Sequence, residues 1–497
     1  MTAGIVSWGV YLPFWRLERA TIAKALGAPA GRGARAVASY DEDTTTLGVE
    51  AARRALAPHG VPVPEELLFS TPEPAYQDKT NATTVHAALG LPPSTAAYDL
   101  VGSVRSGLAT LLAGLAVGER RPTLAVVSEI RTGLAGGADE RGSGDGAVAF
   151  ACGTEGVVLE LVGRASATEE FLDRWRTPGD AYSRQWEERF GEEAYLPLAN
   201  AALTAALKDA GVTADALDHV VVAGLHSRAL RSFTAGLGAG SATTGPDVAS
   251  KVGNLGAAHL GLGLAEVLER AEPGQLVLTA LLADGADVLV WRTTEALPAA
   301  RQARSAAGLA PVVEQLDAGR RDLSYADFLT WRGQLVREPP RRPEPGRPDA
   351  PAVRRSEGWK YGFDASRCLS CGFRHLPPTR VCLRCHSVDQ MEPERLADAL
   401  GTVATFTIDH LAYSLSPPII AVVVDFDGGG RFRCELTDAD AAALHIGDRV
   451  EMTFRRLYTA EGIHNYFWKA RPVADGAPAG EARQGTGDAT VPASKEA

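Results

Sequence analysis

The chain has 497 residues, more than one hydrophobic core usually supports, so two or three domains are expected. Its 45% hydrophobic and 22% charged content is ordinary for a globular protein. A net charge of −11 argues against nucleic acid or an anionic membrane as the main partner. No apolar run reaches the roughly 18–20 residues of a membrane span, and the N-terminus lacks a signal-peptide pattern. We therefore expect a cytoplasmic protein with no membrane or nucleic-acid partner.

The first large block alternates helix and strand patterns, and the alternation repeats. A helix over 47–56 followed by a strand over Glu66–Thr71 corresponds to a helix over 199–210 followed by a strand over His219–Gly224. Two later apolar pairs also correspond, 123–128 with 275–280 and 145–150 with 284–290. Four matched elements in one order favour a duplicated α/β fold with buried sheets, although coincidental alternation gives a similar pattern.

A Pro- and Arg-rich stretch over 337–358 separates this block from the rest of the chain and predicts a semi-extended linker. The tail after residue 473 is rich in Gly, Ala, Ser, Thr and charge, which predicts disorder. Of the six cysteines, Cys152 and Cys434 lie in apolar runs and are expected to be buried thiols.

The other four cysteines form two C-x-x-C pairs, Cys368 with Cys371 and Cys382 with Cys385. Two such turns bring four thiolates to one tetrahedral site, and four protein ligands leave no open position, so a structural zinc is expected. A redox dithiol is the alternative, but one redox motif does not need a second pair nearby. The neighbouring His375 and His386 are expected to be exposed or packing side chains rather than ligands.

Strand patterns follow the cysteines over 401–408, Ile419–Phe426, Arg431–Leu436 and 449–454, and a short one over 467–469 closes the series. Five short strands after a ribbon predict a small barrel of OB type. No basic groove with interleaved aromatic residues indicates nucleic-acid binding. With the sequence 444–454, this order resembles the zinc-ribbon/OB family that accompanies thiolases, which implies a barrel that binds or gates the CoA arm and a structural zinc.

The opening segment 4–13 resembles the first strand and turn of the 3-hydroxy-3-methylglutaryl-CoA synthase and ketoacyl synthase III branch of the thiolase superfamily. The resemblance covers the block before the linker and implies a duplicated thiolase-like fold. Enzymes of this branch use a cysteine to carry the acyl group, a histidine to assist and, in the synthase, a glutamate as general acid/base.

Three residues match these features, and each also has a structural interpretation. Glu73 follows a strand, where the synthase glutamate lies, but a lone loop acid is equally a surface residue. His226 follows the matching strand of the second half, although the usual proline or asparagine after it is absent; it would polarise a thioester carbonyl or serve only the structure. Asn254, within 252–256, resembles the Gly-Asn loop whose amide helps to hold the reacting carbonyl.

The nucleophile does not match. The branch places its cysteine at the start of a helix, where the helix N-terminus lowers the thiol pKa. The corresponding stretch 98–107 has Val104 at that position, and valine cannot form an acyl-enzyme. Ser103 and Ser106 lie beside it, and whether either replaces the cysteine stays open because a serine nucleophile needs an adjacent base.

Cysteine-lacking members of the branch occur beside a thiolase-like subunit and a ribbon/OB subunit, as in bacterial assemblies that C-acetylate phloroglucinols. This chain resembles the synthase-like and ribbon/OB parts fused, and its loop over 128–140 is typical of such fusions. The resemblance implies an acyl-CoA-binding component of a condensing or acyltransferase complex, with a CoA thioester as substrate and a thiolase-like partner. The alternatives are a self-sufficient synthase using Glu73, His226 and Asn254 without a covalent intermediate, and a non-catalytic acyl-CoA scaffold.

Homodimerisation is also expected from the resemblance, with the apolar segment 108–116 contributing to the dimer core. The expected organisation is a thiolase-like domain over 1–312, a connecting segment and linker over 313–358, a zinc ribbon over 359–390, an OB barrel over 391–473 and a disordered tail over 474–497.

Overall fold

The computed structural model describes residues 2–29, 31–240, 242–338, 345–412 and 414–473. Strands and helices alternate through the large unit, residues 2–338, as the sequence predicts. The strands of this unit are β1 (Gly4–Tyr11), β2 (Trp15–Glu18), β3 (Ala34–Val37), β4 (Glu66–Thr71), β5 (Ala96–Val101), β6 (Thr123–Glu129), β7 (Gly146–Gly153), β8 (Leu159–Ala167), β9 (Arg174–Trp175), β10 (Arg184–Gln185), β11 (His219–Gly224), β12 (Leu276–Leu282) and β13 (Ala286–Thr293).

The helices of the large unit cover its sheet and its edges. In chain order they are α1 (Arg19–Leu26), α2 (Thr44–Leu56), α3 (Ala82–Leu89), α4 (Arg105–Gly118), α5 (Ala138–Gly142), α6 (Glu188–Ala210), α7 (Ser227–Gly236), α8 (Val248–Val252), α9 (His259–Arg270), α10 (Leu297–Ala306), α11 (Val312–Asp317) and α12 (Tyr325–Trp331).

The large sheet has nine strands in the order β11-β12-β13-β8-β1-β7-β6-β4-β5. In one half, β4 is parallel to β6, β6 is antiparallel to β7, and β7 is antiparallel to β1. In the other half, β11, β12, β13 and β8 repeat the same three relations. Antiparallel pairing of β1 with β8 joins the halves. The predicted repeat therefore corresponds to two equivalent sets of strands.

The two halves differ at their outer edges. In the first half, β5 adds a complete strand parallel to β4. In the second half, one parallel bridge between His219 and Thr243 lies in the equivalent position beside β11. Strand β5 is consequently an edge strand, and two of its side chains, Tyr98 and Val101, are 54% and 46% exposed.

The core explains why these segments form strands and helices. Every residue of β6, β7 and β12 is buried, which suits near-continuous apolar strands covered by helices on both faces. Cys152 on β7 is buried, and burial raises the pKa of its thiol to about 12. Helix α2 begins at a reciprocal cap, in which Asp43 accepts from the Thr46 amide and the Thr46 hydroxyl accepts from the Asp43 amide.

The segment 108–116, expected at a dimer core, lies mainly inside this chain. Leu108, Leu111 and Leu115 on α4 are 4–6% exposed and belong to the core of the large unit. The apolar face of α4 therefore packs against other residues of the same chain. Ala109 and Ala116 of the segment remain exposed, and edge strand β5 exposes Tyr98 and Val101.

The predicted connecting segment folds onto the large unit. Leu323, Tyr325 and Phe328 are buried in a small core with residues of β2, α1 and β3. The predicted semi-extended linker is only partly right, because Ala350–Arg355 form helix α13 and Gly358–Gly362 form a π-helical turn. Pro351 at the first turn and arginines at the last suit the helix dipole and caps. Residues 339–344 and the predicted disordered tail lie outside the described residues.

The C-terminal part is a small ribbon followed by a closed barrel. The ribbon strands are β14 (Asp364–Cys368), β15 (Arg374–His375) and β16 (Met391–Arg395). Because β16 pairs with β14, the ribbon extends beyond its expected end at 390. The barrel closes in the order β17-β18-β19-β21-β20. Its strands are β17 (Gly401–Asp409), β18 (Ile419–Phe426), β19 (Arg431–Leu436), β20 (Arg449–Ala460) and β21 (Ile463–Pro472).

The barrel packs tightly against the large unit through buried charges. Arg455 of β20 is completely buried and pairs with Glu42 at 2.6 Å and with Asp438 at 2.5 Å. Lys469 of β21 pairs with Asp41 at 3.0 Å. Burial alone would raise the pKa of Asp41, but Lys469 and Arg455 outweigh it and lower that pKa to about 2. Removing one partner of such a buried pair typically costs ~3–5 kcal/mol, so loss of any one of these charges should weaken the contact between the barrel and the large unit.

Within the described ranges, no helix combines the length and the apolarity that a membrane crossing requires.

Candidate functional site

A cavity of about 1220 Å³ opens at one edge of the large sheet. Strands β4, β5 and β6 run parallel to one another, and β11 runs parallel to β12. Residues that follow the strands of both sets line the same cavity. In open α/β sheets, ligands commonly bind at the carboxyl ends of the strands. A segment over 173–183, which comprises β9 and the turn that leads to β10, forms the opposite wall.

Glu73 lies in the cavity wall, in the loop that follows β4. Its main chain is held at both ends of the residue, since its amide donates to the Thr71 hydroxyl at 3.0 Å and its carbonyl accepts from the Thr44 hydroxyl at 2.7 Å. Its side chain is 49% exposed and forms an ion pair with Arg176 of the opposite wall. The carboxylate therefore faces the cavity but is neutralised by a cation.

Val104 lies immediately before α4, is 6% exposed and also lines the cavity. Its side chain belongs to the apolar core of the large unit. Ser103 lines the cavity as well, and its amide donates to the Ser106 hydroxyl at 3.3 Å. Among the described residues, no histidine or carboxylate makes a hydrogen bond to either serine. The base that a serine nucleophile needs is thus not in contact with them.

His226 is 2% exposed and occupies the cap position of α7. Its Nδ1 accepts a hydrogen bond from the Ala229 amide at 3.1 Å, so Nδ1 carries no proton in this arrangement. The preceding residue, Leu225, lines the cavity, whereas the His226 ring lies behind Tyr195, with 5.9 Å between the ring centroids. His226 is consequently one layer behind the cavity wall.

Asn254 contacts the same end of β11. Its side-chain amide donates to the Gly224 carbonyl at 2.7 Å, and its side-chain oxygen accepts from the Gly256 amide at 2.9 Å. These bonds fix the loop over 252–256 against the residues that precede His226. The structure thus brings Glu73 and Val104 together in the cavity wall, and it brings His226 and Asn254 together behind the end of β11.

A buried pair at the cavity, Glu129 and Arg131, was not anticipated from the sequence. Glu129 is 2% exposed, accepts from the Ala257 amide at 2.5 Å and pairs with Arg131. Burial disfavours the charge on Arg131, but Glu129 and Asp139 outweigh burial and raise its pKa. Both residues lie within the segment 128–140 that the sequence singles out. The one sequence signal that could have identified the pair is a glutamate at the end of an otherwise apolar strand.

The four cysteines of the ribbon converge on one point. Their sulfur atoms all lie within 4.8 Å of one another, with 3.6 Å between those of Cys368 and Cys385 and 3.5 Å between those of Cys371 and Cys382. Zn–S bonds of about 2.3 Å in a tetrahedron place sulfur atoms ~3.8 Å apart, so the donor set and its spacing fit zinc. His375 packs edge-on against Phe373, and neither it nor exposed His386 belongs to this cluster of the described residues.

Comparisons with known proteins agree with this architecture. A hydroxymethylglutaryl-CoA synthase of Aeropyrum pernix is 29% identical over 350 residues, which are 67% of this chain and 95% of that protein. The structure of MvaS in complex with 3-hydroxy-3-methylglutaryl coenzyme A matches with a TM-score of 0.56 and 21% identity, over 69% of this chain and 94% of MvaS. The fold of the large unit is thiolase-like.

Two further matches concern a synthase bound to an acyl carrier protein (ACP) and the C-terminal barrel. The HMG synthase of the curacin biosynthetic pathway, in complex with an acetyl donor-ACP, matches with a TM-score of 0.54 and 17% identity, over 67% of this chain and 88% of that chain. A family model of the C-terminal OB-fold domain of ChsH2 matches residues 394–455. The chain therefore combines a thiolase-like unit that has hydroxymethylglutaryl-CoA synthase homologues with a C-terminal OB-fold domain of ChsH2 type.

Proposed function

We propose that this chain is the acyl-CoA-binding component of a condensing or acyltransferase complex, in which a separate thiolase-like chain supplies the nucleophilic thiolate. The observation that carries the proposal is Val104. It lies in the cavity wall at the start of α4, the position that the resemblance aligns with the cysteine of this branch of condensing enzymes, and it cannot attack a thioester. The CoA thioester bound by the related MvaS structure supports the choice of ligand.

Four cations line the cavity: Lys79, Arg131, Arg174 and Arg176. The three arginines pair with Glu129, Asp139 and Glu73, and carboxylates line the cavity as well, so the phosphates of a CoA thioester would bind by displacing such pairs. In this account Glu73 is the general acid/base, and an incoming ligand releases it from Arg176. His226 and Asn254 support the part of the site that would hold the thioester carbonyl. His226 packs against Tyr195, which lines the cavity, and Asn254 bonds to the Gly224 carbonyl, next to Leu225 in the cavity wall.

The C-terminal module binds one zinc ion through Cys368, Cys371, Cys382 and Cys385 in this proposal. The four sulfur ligands leave no position for a substrate, so the metal stabilises the ribbon and takes no part in the reaction. We further propose that the chain forms a homodimer. Edge strand β5, with exposed Tyr98 and Val101, presents the unpaired backbone that a second copy would extend.

A self-sufficient synthase is the second candidate, and the position of Glu73 in the cavity wall favours it. It would use Glu73, His226 and Asn254 without a covalent intermediate. A scaffold that only binds acyl-CoA is the third candidate, and in it Glu73 would only pair with Arg176 and would have no acid/base role.

Purification of the complex from the native host separates these functions. We expect a thiolase-like chain to co-purify and acyl transfer from acetyl-CoA to require both chains. Glu73→Gln should lower the rate of the assembled complex by about 10²-fold or more, the contribution typical of a general acid/base. Transfer by this chain alone would support the self-sufficient synthase, and an unchanged rate in Glu73→Gln would support the scaffold.

A further inference from the structure

One face of barrel strand β21 packs against the large unit beside the loop that carries Glu73. Side chains alternate along a strand, so His464, Tyr466 and Trp468 share a face. All three contact the large unit: His464 packs against Tyr76 with 4.7 Å between ring centroids and 43° between the ring planes, Tyr466 bonds to Asp43, and Trp468 lies under the Arg53 guanidinium.

The first connection runs through His464. Its amide donates to the Tyr76 hydroxyl at 2.7 Å, and its Nε2 lies 3.2 Å from the Ala75 carbonyl. A carbonyl can only accept, so Nε2 carries the proton and Nδ1 accepts from the Thr459 hydroxyl at 2.7 Å. Burial lowers the pKa of His464, in keeping with this neutral tautomer. His464 thus joins the β20–β21 hairpin to two consecutive residues of the loop, Ala75 through its imidazole and Tyr76 through its main-chain amide.

The second connection runs through Tyr466. Its hydroxyl donates to Asp43 at 2.7 Å, and the other oxygen of Asp43 caps α2 at the Thr46 amide at 2.9 Å. The next residue of the helix, Thr44, donates from its hydroxyl to the Glu73 carbonyl at 2.7 Å. Both connections therefore end in the same loop, residues 72–80, eight of whose residues line the cavity.

We propose that the barrel positions the acid/base loop, and that His464 and Tyr466 of β21 are positioning residues for Glu73. The inference rests on the proposed function, because it assigns a regulator to the same site. It gives the barrel a role beyond ligand binding. A ligand or partner that shifts β21 changes the placement of Glu73, and the Arg176 ion pair holds the same side chain from the opposite wall.

Amide hydrogen exchange of the full-length chain tests the connection without any need for turnover. His464→Ala and Tyr466→Phe should each speed exchange in residues 72–80 by about tenfold, the effect of losing one hydrogen bond in a local opening. The matched controls are Tyr458→Phe, whose hydroxyl bonds to Gly346 instead, and His445→Ala, which is exposed. Both controls should match the wild type. Unchanged exchange in the loop of His464→Ala and Tyr466→Phe would overturn the proposal.

A double-mutant cycle on the assembled complex tests whether the effect passes through Glu73. His464→Ala should lower kcat by about tenfold with KM for acyl-CoA unchanged, but by less than about twofold in a Glu73→Gln background. His464→Gln, which keeps a donor for the Ala75 carbonyl, should recover most of kcat. Additive effects of the two changes would overturn the positioning role. If the assembled complex shows no turnover at all, the proposed function fails, whereas hydrogen exchange still decides the positioning.

Discussion

At the scale of single residues, the cavity wall combines residues that short sequence patterns reveal with residues that they do not. Val104 and Glu73 each follow a strand pattern by a few residues, so a repeat of helix and strand locates them on the same edge of the sheet. Arg176, which neutralises Glu73, lies 103 positions away in sequence, and no local pattern links the two. The orientation of His226 depends similarly on its cap contact with Ala229 and on Tyr195 in another helix.

A prediction at this scale concerns His259, beside the Asn254 loop. Its Nδ1 accepts from the Leu255 amide at 3.3 Å, and burial lowers its pKa to about 4. An unfolded histidine has a pKa near 6.5, so the unfolded state binds more protons between pH ~6.5 and ~4 and the folded state loses stability as pH falls through that window. We expect the free energy of unfolding to fall by ~2 kcal/mol across this window, less than the full pKa difference implies because solvent screens part of the effect.

The variant His259→Asn separates this effect from general acid denaturation. Asparagine keeps an acceptor for the Leu255 amide but does not titrate, so chemical unfolding of the variant should depend less on pH between 6.5 and 4 than that of the wild type. Equal pH dependence of the two proteins would show that His259 is not responsible.

At the scale of elements, the first and last residues of a strand could be predicted where its apolar pattern is strong and turn residues flank it. The strands Glu66–Thr71, His219–Gly224, Ile419–Phe426 and Arg431–Leu436 have the predicted limits. Strand β20 runs to Ala460 and β21 begins at Ile463, beyond the predicted strands 449–454 and 467–469. The added residues pair with each other in the barrel but are largely polar, so they show no apolar alternation in the sequence. Helix α13 was missed because it has no buried residue to produce a period.

The ribbon is the element whose stability should depend most on a ligand. Cys368 is buried and its strand β14 joins both partner strands of the ribbon. Cys368→Ser should lower zinc content to well below one ion per chain and destabilise the C-terminal module by about 3 kcal/mol or more, since metal binding is coupled to folding. Elemental analysis and thermal unfolding measure both effects.

Ser370→Ala, an exposed change within the same C-x-x-C turn, is the control and should retain zinc and stability. Absence of zinc from the wild-type protein at near-unit stoichiometry would refute the assignment.

At the scale of the whole molecule, the sequence suggests two units joined by a linker, whereas the structure shows one continuous interface. Arg455, Lys469 and Arg471 enter the contact from the barrel and meet Asp41, Glu42 and Glu50 of the large unit. The partners are roughly 400 positions apart, and charged residues on strands ordinarily indicate a solvent face. Only the fold shows that these charges are buried, and the interface explains how a barrel strand can reach the loop of Glu73.

The absence of a usable nucleophile at Val104 is the central claim, and intact-mass analysis of the full-length chain with acetyl-CoA tests it directly. The wild type should gain no acetyl group, whereas Val104→Cys should gain one on the peptide 99–109, because the start of α4 lowers the pKa of a thiol placed there beside the cavity. An acetyl adduct on Ser103 or Ser106 of the wild type would contradict the account and favour an autonomous enzyme. Failure of Val104→Cys to acylate, in a variant that remains folded, would show that this position is not the one at which the family's cysteine acts.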